Sequence, residues 1–127
     1  CESCIQIDSD THLDLLVAAK KEDEAALSID ELVGSKENRM RDGICYKLHL
    51  KPLNGPRRIA LIDDADTIQT EAANSMLKTL EEPPPGSAIF LIGTSQQRQL
   101  STIRSRCQIV RFDALKPDQV AMLIQRQ

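Results

Sequence analysis

The chain has 127 residues, of which 41% are hydrophobic and 28% charged, with a formal net charge of -3. This size suits one domain or a large piece of one, and the balance is that of a soluble globular protein. The slightly acidic total excludes a global nucleic-acid footprint, and one Tyr, two Phe and no Trp leave few platforms for stacking bases.

In chain order, the first signal is Cys1-Glu-Ser-Cys4, a C-x-x-C pair. Two thiols at this spacing are half a tetrahedral zinc site, and His12 is either a third ligand or a surface hydrogen-bonding group. Residues 12–19 are apolar enough for a strand or a short helix, and periodicity alone does not separate the two. Residues 20–26 read as a polar loop. Ile29, Leu32 and Val33 give one helical turn that Gly34 interrupts. Met40, Ile44 and Leu48 are spaced by four, which predicts a helix over about residues 38–50, closed by Pro52, Gly55 and Pro56.

Ile59-Ala-Leu-Ile62 then predicts a strand buried on both faces, as in a parallel sheet. Thr70 is the expected cap of a helix whose stripe is Ala72, Ala73, Met76, Leu77 and Leu80. Pro83-Pro-Pro-Gly86 stops it. Residues 88–92 and 108–112 predict two further strands, and Pro117 opens a last helix with Val120, Leu123 and Ile124 facing inward. Strand and helix alternate, which argues for a layered α/β domain with a parallel sheet.

The chemistry concentrates where residues 59–62 run into Asp63 and Asp64. Open α/β sheets place ligands at the carboxyl ends of their strands, and a carboxylate there suits magnesium bound to nucleotide phosphates. The plainer alternative is a solvated Asp turn. No G-x-x-x-x-G-K-[ST] loop accompanies it. Thr94 and Ser95 stand at the end of the next strand, as polar groups near a ligand or as local backbone partners. Arg106 is either a phosphoryl-binding group or half of an ion pair, with Asp113 as the candidate partner. Cys107 reads as a packing residue, since no base adjoins it. Basic groups gather at Lys47, Lys51, Arg57 and Arg58, and at Arg98, Arg104, Arg106 and Arg111. Each set is a contact patch or ordinary solvated surface.

The run Asn74-Ser-Met-Leu-Lys-Thr-Leu-Glu-Glu-Pro-Pro84 and the run Thr102-Ile-Arg-Ser-Arg-Cys107 resemble the bacterial clamp-loader family, the AAA+ subunits of the DNA polymerase III holoenzyme. The resemblance covers the whole chain and is densest over residues 58–112. Asp63-Asp-Ala-Asp66 and Thr11-His-Leu-Asp14 are more similar to the delta-prime branch than to gamma/tau.

This resemblance implies a three-layer P-loop NTPase fold with a parallel sheet in the order 5-1-4-3-2. The first strand and the phosphate loop are missing from this chain. Residues 1–115 would be a partial nucleotide-binding domain, with a truncated zinc module at 1–4, and residues 116–127 the start of the lid domain. Asp63 would match the magnesium-organising carboxylate. Asp64 stands where active members carry a Glu that orients water, and is one methylene shorter. Thr94 and Ser95 would match the polar sensor beside the terminal phosphate, and Arg106 an arginine finger offered to a neighbouring subunit. Cys1 and Cys4 would match the last two of four zinc cysteines, and no ordered zinc is expected on two.

The implied role is a weakly catalytic or non-catalytic subunit that helps an ATP-Mg-driven assembly place the sliding clamp on primer-template DNA. The alternatives are an ATP-hydrolysing gamma/tau-type subunit and an interaction module with no nucleotide role. The partners expected are other loader subunits, the clamp and DNA. No membrane contact is expected, because no apolar run reaches spanning length and no signal peptide precedes the body. The four cysteines show no secreted disulfide spacing, so the expected location is the reducing cytoplasm. The start at Cys1, not Met, reads as an excised or processed fragment.

If the first strand is missing, residues 108–112 have three arrangements available. They could slide over to pair with the 88–92 strand, two molecules could share edges, or the missing segment could exist outside these residues. The last is the expectation, leaving a gap of one strand's width, about 9–10 Å.

Overall fold

The computed structural model describes residues 1–39 and 41–125. Its elements are α1 (Glu2–Asp8), β1 (Leu15–Ala18), α2 (Ile29–Val33), α3 (Gly43–Leu48), β2 (Arg58–Ile62), α4 (Thr70–Glu81), β3 (Ser87–Leu91), α5 (Ser101–Arg104) and α6 (Pro117–Ile124). Among the described residues, no helix is long and apolar enough to cross a membrane.

The three strands form one parallel sheet in the order β1-β2-β3. Pairing sets Leu16 and Ala18 against Ala60 and Ile62, and these against Ile89 and Leu91. Strand side chains alternate between faces, so these six share one face. That face joins Leu32, Val33, Ile44, Cys45, Leu48, Ala72, Ala73, Met76 and Ile103 in a single core. Helix α3 packs on β1 and β2, α2 on α3 and α4, and α5 on α4.

The opposite face carries Leu15, Val17, Ile59, Leu61, Ala88 and Phe90. Val17 remains 55% exposed and Phe90 54%. The described residues therefore make two layers, not the expected three, and β2 is buried on one face only. Among the described residues, nothing packs across Val17 and Phe90 on the second face.

Residues 12–19 resolve as a strand, because Leu15–Ala18 can pair with β2 on a ready template. The expected helix over residues 38–50 shrinks to Gly43–Leu48. Gly43 takes φ 79°, which breaks helical continuity, and the Asp42 carboxylate accepts the Gly43 N–H at 2.7 Å. Met40, the first residue of the expected stripe, lies outside the described residues. Thr70 is the first helical residue of α4 and Gln69 its cap position, without a side-chain cap bond. In α4 the buried positions are Ala72, Ala73, Met76 and Thr79, with Leu80 packed against the core.

Two expectations at the C-terminal end are corrected. Residues 108–112 form no strand and do not pair with β3, and Ile109, Val110 and Phe112 are exposed. A segment gains strand geometry only from a partner's hydrogen bonds, and no neighbouring strand meets it here. Helix α6 does begin with Pro117 at its first position, but Val120, Leu123 and Ile124 are exposed, not inward-facing. Its apolar face has no described surface to pack on.

Candidate functional site at the carboxyl end of the sheet

Strand β2 delivers Asp63 to the end of the sheet, where its N–H donates to the Ala18 carbonyl at 2.8 Å. Asp63 is exposed, and its Oδ1 accepts the Asp64 N–H at 2.8 Å. Asp64 sits at φ 51°, ψ 33°, a left-handed conformation that Asp tolerates better than most residues. The chain thereby turns into a single 3₁₀ turn over Ala65–Thr67. Thr67 Oγ1 donates to the Asp64 carbonyl at 2.8 Å and accepts the Leu27 N–H at 3.2 Å.

The carboxylate that reaches across to the next strand is Asp66, which sequence reasoning gave no role. Thr94 Oγ1 donates to Asp66 Oδ2 at 3.1 Å. Gly93 makes the approach possible: a Cβ there would lie 3.0 Å from Asp66 Oδ1. The only sequence signal was the third acid of Asp63-Asp-Ala-Asp66. Ser95 Oγ turns away to Gln97 Oε1, 3.3 Å distant. Thr94 is thus joined to the Asp63–Asp66 turn, and Ser95 is not.

The sequence expectation for this acidic turn is a nucleotide-magnesium site. Asp63, exposed at a strand's carboxyl end, fits one ligand position of a hydrated magnesium ion. Among the described residues, no three His, Cys, Asp or Glu side chains converge on a metal position. The backbone cradle that a triphosphate requires is not among them either. These residues fit part of the site.

Arg106 follows α5 and is exposed. Its Nε donates to Glu81 Oε1 at 2.7 Å, and its Nη2 donates to the same oxygen. Its Nη1 donates to the Thr102 carbonyl at 2.8 Å and to Ser105 Oγ at 3.2 Å. The ion pair is therefore with Glu81, at the end of α4, and not with Asp113. Cys107, the next residue, is partly buried, and burial pushes its thiol up from the ordinary value. That disfavours the thiolate a nucleophile needs. Cys107 also lines a groove of about 740 Å³ beside β3, with Leu91, Ile92, Thr94, Ile103 and Ile109.

Cys1 and Cys4 are exposed at the start of α1, their sulfurs 3.3 Å apart. Tetrahedral zinc with Zn–S near 2.3 Å places sulfurs about 3.8 Å apart, so a small opening fits this pair to two positions. His12 does not gather with the two thiols into a three-residue cluster among the described residues, and its Nδ1 accepts the Asp14 N–H at 3.3 Å.

The strongest electrostatic feature was missed by the sequence reading. Asp14 and Arg58 are only 1% and 4% exposed and are paired at 3.1 Å. Asp14 also accepts the N–H groups of Leu53, Asn54 and Gly55 at 2.8, 2.6 and 3.1 Å. Arg58 donates onward to the Lys47 and Lys51 carbonyls. Burial pushes the Asp14 carboxyl up, but the bonds from Leu53, Asn54, Arg58 and Gly55 outweigh it and hold it below its ordinary value. Arg58 is thereby removed from the basic patch in which it was counted.

The fold is shared with a solved DNA polymerase III gamma subunit-related protein from Thermotoga maritima. The TM-score is 0.66 at 24% identity, over 95% of this chain and 38% of that one. The α/β unit thus shares the fold of that protein over nearly its whole described length. Residues 1–116 match the family model described as DNA polymerase III, delta subunit, and the chain belongs to that family, its sequence resembling the delta-prime branch of the clamp-loader subunits. It is 32% identical to subunit delta-prime of Pseudomonas aeruginosa over 84% of this chain and 30% of the relative. Against subunit delta-prime of Escherichia coli it is 31% identical over 96% of this chain and 34% of the relative. Subunit tau/gamma of Haemophilus influenzae is 32% identical over 95% of this chain and 16% of its own length. The chain spans about a third of the length of the delta-prime relatives it matches.

Proposed function

We propose that this chain is the central part of an AAA+ domain (residues 1–115, with 116–127 opening the lid) in a delta-prime-like clamp-loader subunit. In this reading β1, β2 and β3 are the second, third and fourth strands of a sheet ordered 5-1-4-3-2. The observed order β1-β2-β3 supports it. The parent subunit works in the cytoplasm with other loader subunits, and the assembly uses ATP-Mg to place the sliding clamp on primer-template DNA.

The observation that carries the proposal is Arg106, an exposed guanidinium in the Ser105-Arg-Cys107 run of a chain belonging to this family. An arginine at a subunit surface can reach a neighbour's nucleotide and stabilise the charge that develops as the phosphoryl group transfers. ATP-Mg, when bound, supplies the phosphoryl group and the metal charge. Asp63 would hold one magnesium position, and Thr94, anchored by Asp66, would present a hydroxyl beside the terminal phosphate. Asp64 contributes poorly to water activation. Its side chain is short for that task, and its left-handed backbone serves the turn. Cys1 and Cys4 would supply two of four zinc ligands in a complete module.

The tau/gamma similarity supports a second reading, an ATP-hydrolysing subunit of the same assembly. A reconstituted loader tests the proposal. The complete parent subunit should restore ATP-dependent clamp loading on primed DNA to an assembly lacking it, without hydrolysing ATP alone. Hydrolysis by the subunit alone favours the second reading, and loading that proceeds equally without the subunit contradicts both.

A further inference from the structure

We propose that Glu81 is a latch on Arg106, holding the guanidinium away from the neighbour's nucleotide until phosphate oxygens displace it. The inference rests on the reading of Arg106 as a finger. A guanidinium has five N–H donors. Here Nε and one Nη2 hydrogen go to Glu81 Oε1, and Nη1 serves the Thr102 carbonyl and Ser105 Oγ. Four of the five are engaged, and the Nε–Nη2 edge, the one suited to a two-point phosphate contact, faces the carboxylate. A bidentate phosphate contact through that edge therefore requires Glu81 to let go.

The pair is built to be exchanged. Both bonds fall on a single carboxylate oxygen, so the two-oxygen fork that makes arginine–carboxylate pairs strong is not formed. Both side chains meet solvent, where an ion pair is weak. Glu81 is the last residue of α4, and Glu82 follows it. A helix C-terminus is the negative end of the macrodipole and disfavours carboxylates, so Glu81 gains nothing from its helix and depends on a cation opposite. A triphosphate brings more negative charge than one carboxylate and wins the guanidinium when it arrives.

The test uses the complete subunit in its assembled loader. Glu81→Gln keeps the shape and removes the charge. The half-saturating ATP concentration for hydrolysis should fall about two- to fivefold with kcat kept or raised, and Glu81→Asp should stay close to the parent. The same change in an Arg106→Ala background should leave the residual hydrolysis of the assembly unchanged. A rise in half-saturating ATP, or a lower kcat, in Glu81→Gln overturns the latch, since a carboxylate that merely aims the finger would give that result. Arg106→Ala measured alone separates the two claims. If it leaves hydrolysis unchanged, the finger reading fails and the latch with it. If it abolishes hydrolysis while Glu81→Gln changes nothing, only the latch fails.

Discussion

At the scale of single residues, the best-supported side chain in this chain is Asp14, which does no chemistry. Its carboxylate gathers three backbone N–H groups and the Arg58 guanidinium from segments some forty residues away in sequence. Removing one partner of a buried pair leaves the other unpaired, at a cost of about 3–5 kcal/mol. Asp14→Ala should lower stability by that order in denaturant unfolding. Because the folded Asp14 holds its proton less tightly than the unfolded one, its contribution is present above the ordinary value of 3.8 and is lost as pH falls through the lower folded value. The stability gap between the parent chain and Asp14→Asn should therefore narrow below about that pH, and a constant gap across the acid limb would contradict the assignment. In the sequence Asp14 is one acid in the apolar run of residues 12–19 and part of the Thr11–Asp14 resemblance, and neither names its partners. Its partners are fixed by the 53–55 loop closing over it, a long-range event with no periodic signature. The position of Asp63, by contrast, was legible because its signal is local: an apolar strand that ends in a carboxylate.

At the scale of elements, two glycines set the joint between α2 and α3. Gly43 has φ 79°, and a Cβ there would meet the Gly34 nitrogen at 2.5 Å and Val33 backbone at 2.9 Å. Gly43→Ala should destabilise by at least the roughly 1–3 kcal/mol of a left-handed backbone, with the clash added. Gly55→Ala is the control. Its Cβ would find only the Arg57 carbonyl, at 3.9 Å, so it should be neutral or slightly stabilising. Thermal melts of the two variants check the contrast, and equal effects would contradict it. Spacing by four at Met40, Ile44 and Leu48 could not reveal this joint, because periodicity records which face is apolar and not where φ changes sign. β2, α4 and β3 were read within a residue or so of their ends. Each is bounded by local breakers, Pro56 before β2 and Pro83–Gly86 between α4 and β3. The 108–112 strand failed for the opposite reason: its alternation is real, but a strand needs a partner outside itself. Amide hydrogen exchange should find residues 108–112 unprotected in this chain and β2 protected, and slow exchange across 108–112 would mean that a pairing has formed.

At the scale of the whole molecule, the chain is a two-layer unit with one covered sheet face and one apolar face still exposed. That asymmetry fits a chain spanning about a third of its relatives, and it governs what the unit can do alone. Asp63 and Thr94 lie at the proper end of the sheet but hold no phosphate cradle between them. Titration calorimetry of this chain should find ATP-Mg affinity far weaker than micromolar, since the backbone amides and lysine of a phosphate loop supply most of the binding. Micromolar affinity would overturn the partial-site description.

In the proposed function the chain's chemistry is directed at a neighbour through Arg106. Steady-state ATP hydrolysis by the assembled loader carrying Arg106→Ala in the complete subunit tests it most directly. A finger acting in trans gives roughly a thousandfold in rate at the site it serves. An exposed arginine adds little to folding. Hydrolysis at the interface served by Arg106 should fall sharply, with the subunit's melting temperature and its place in the assembly unchanged. Unchanged turnover in an intact assembly would contradict it.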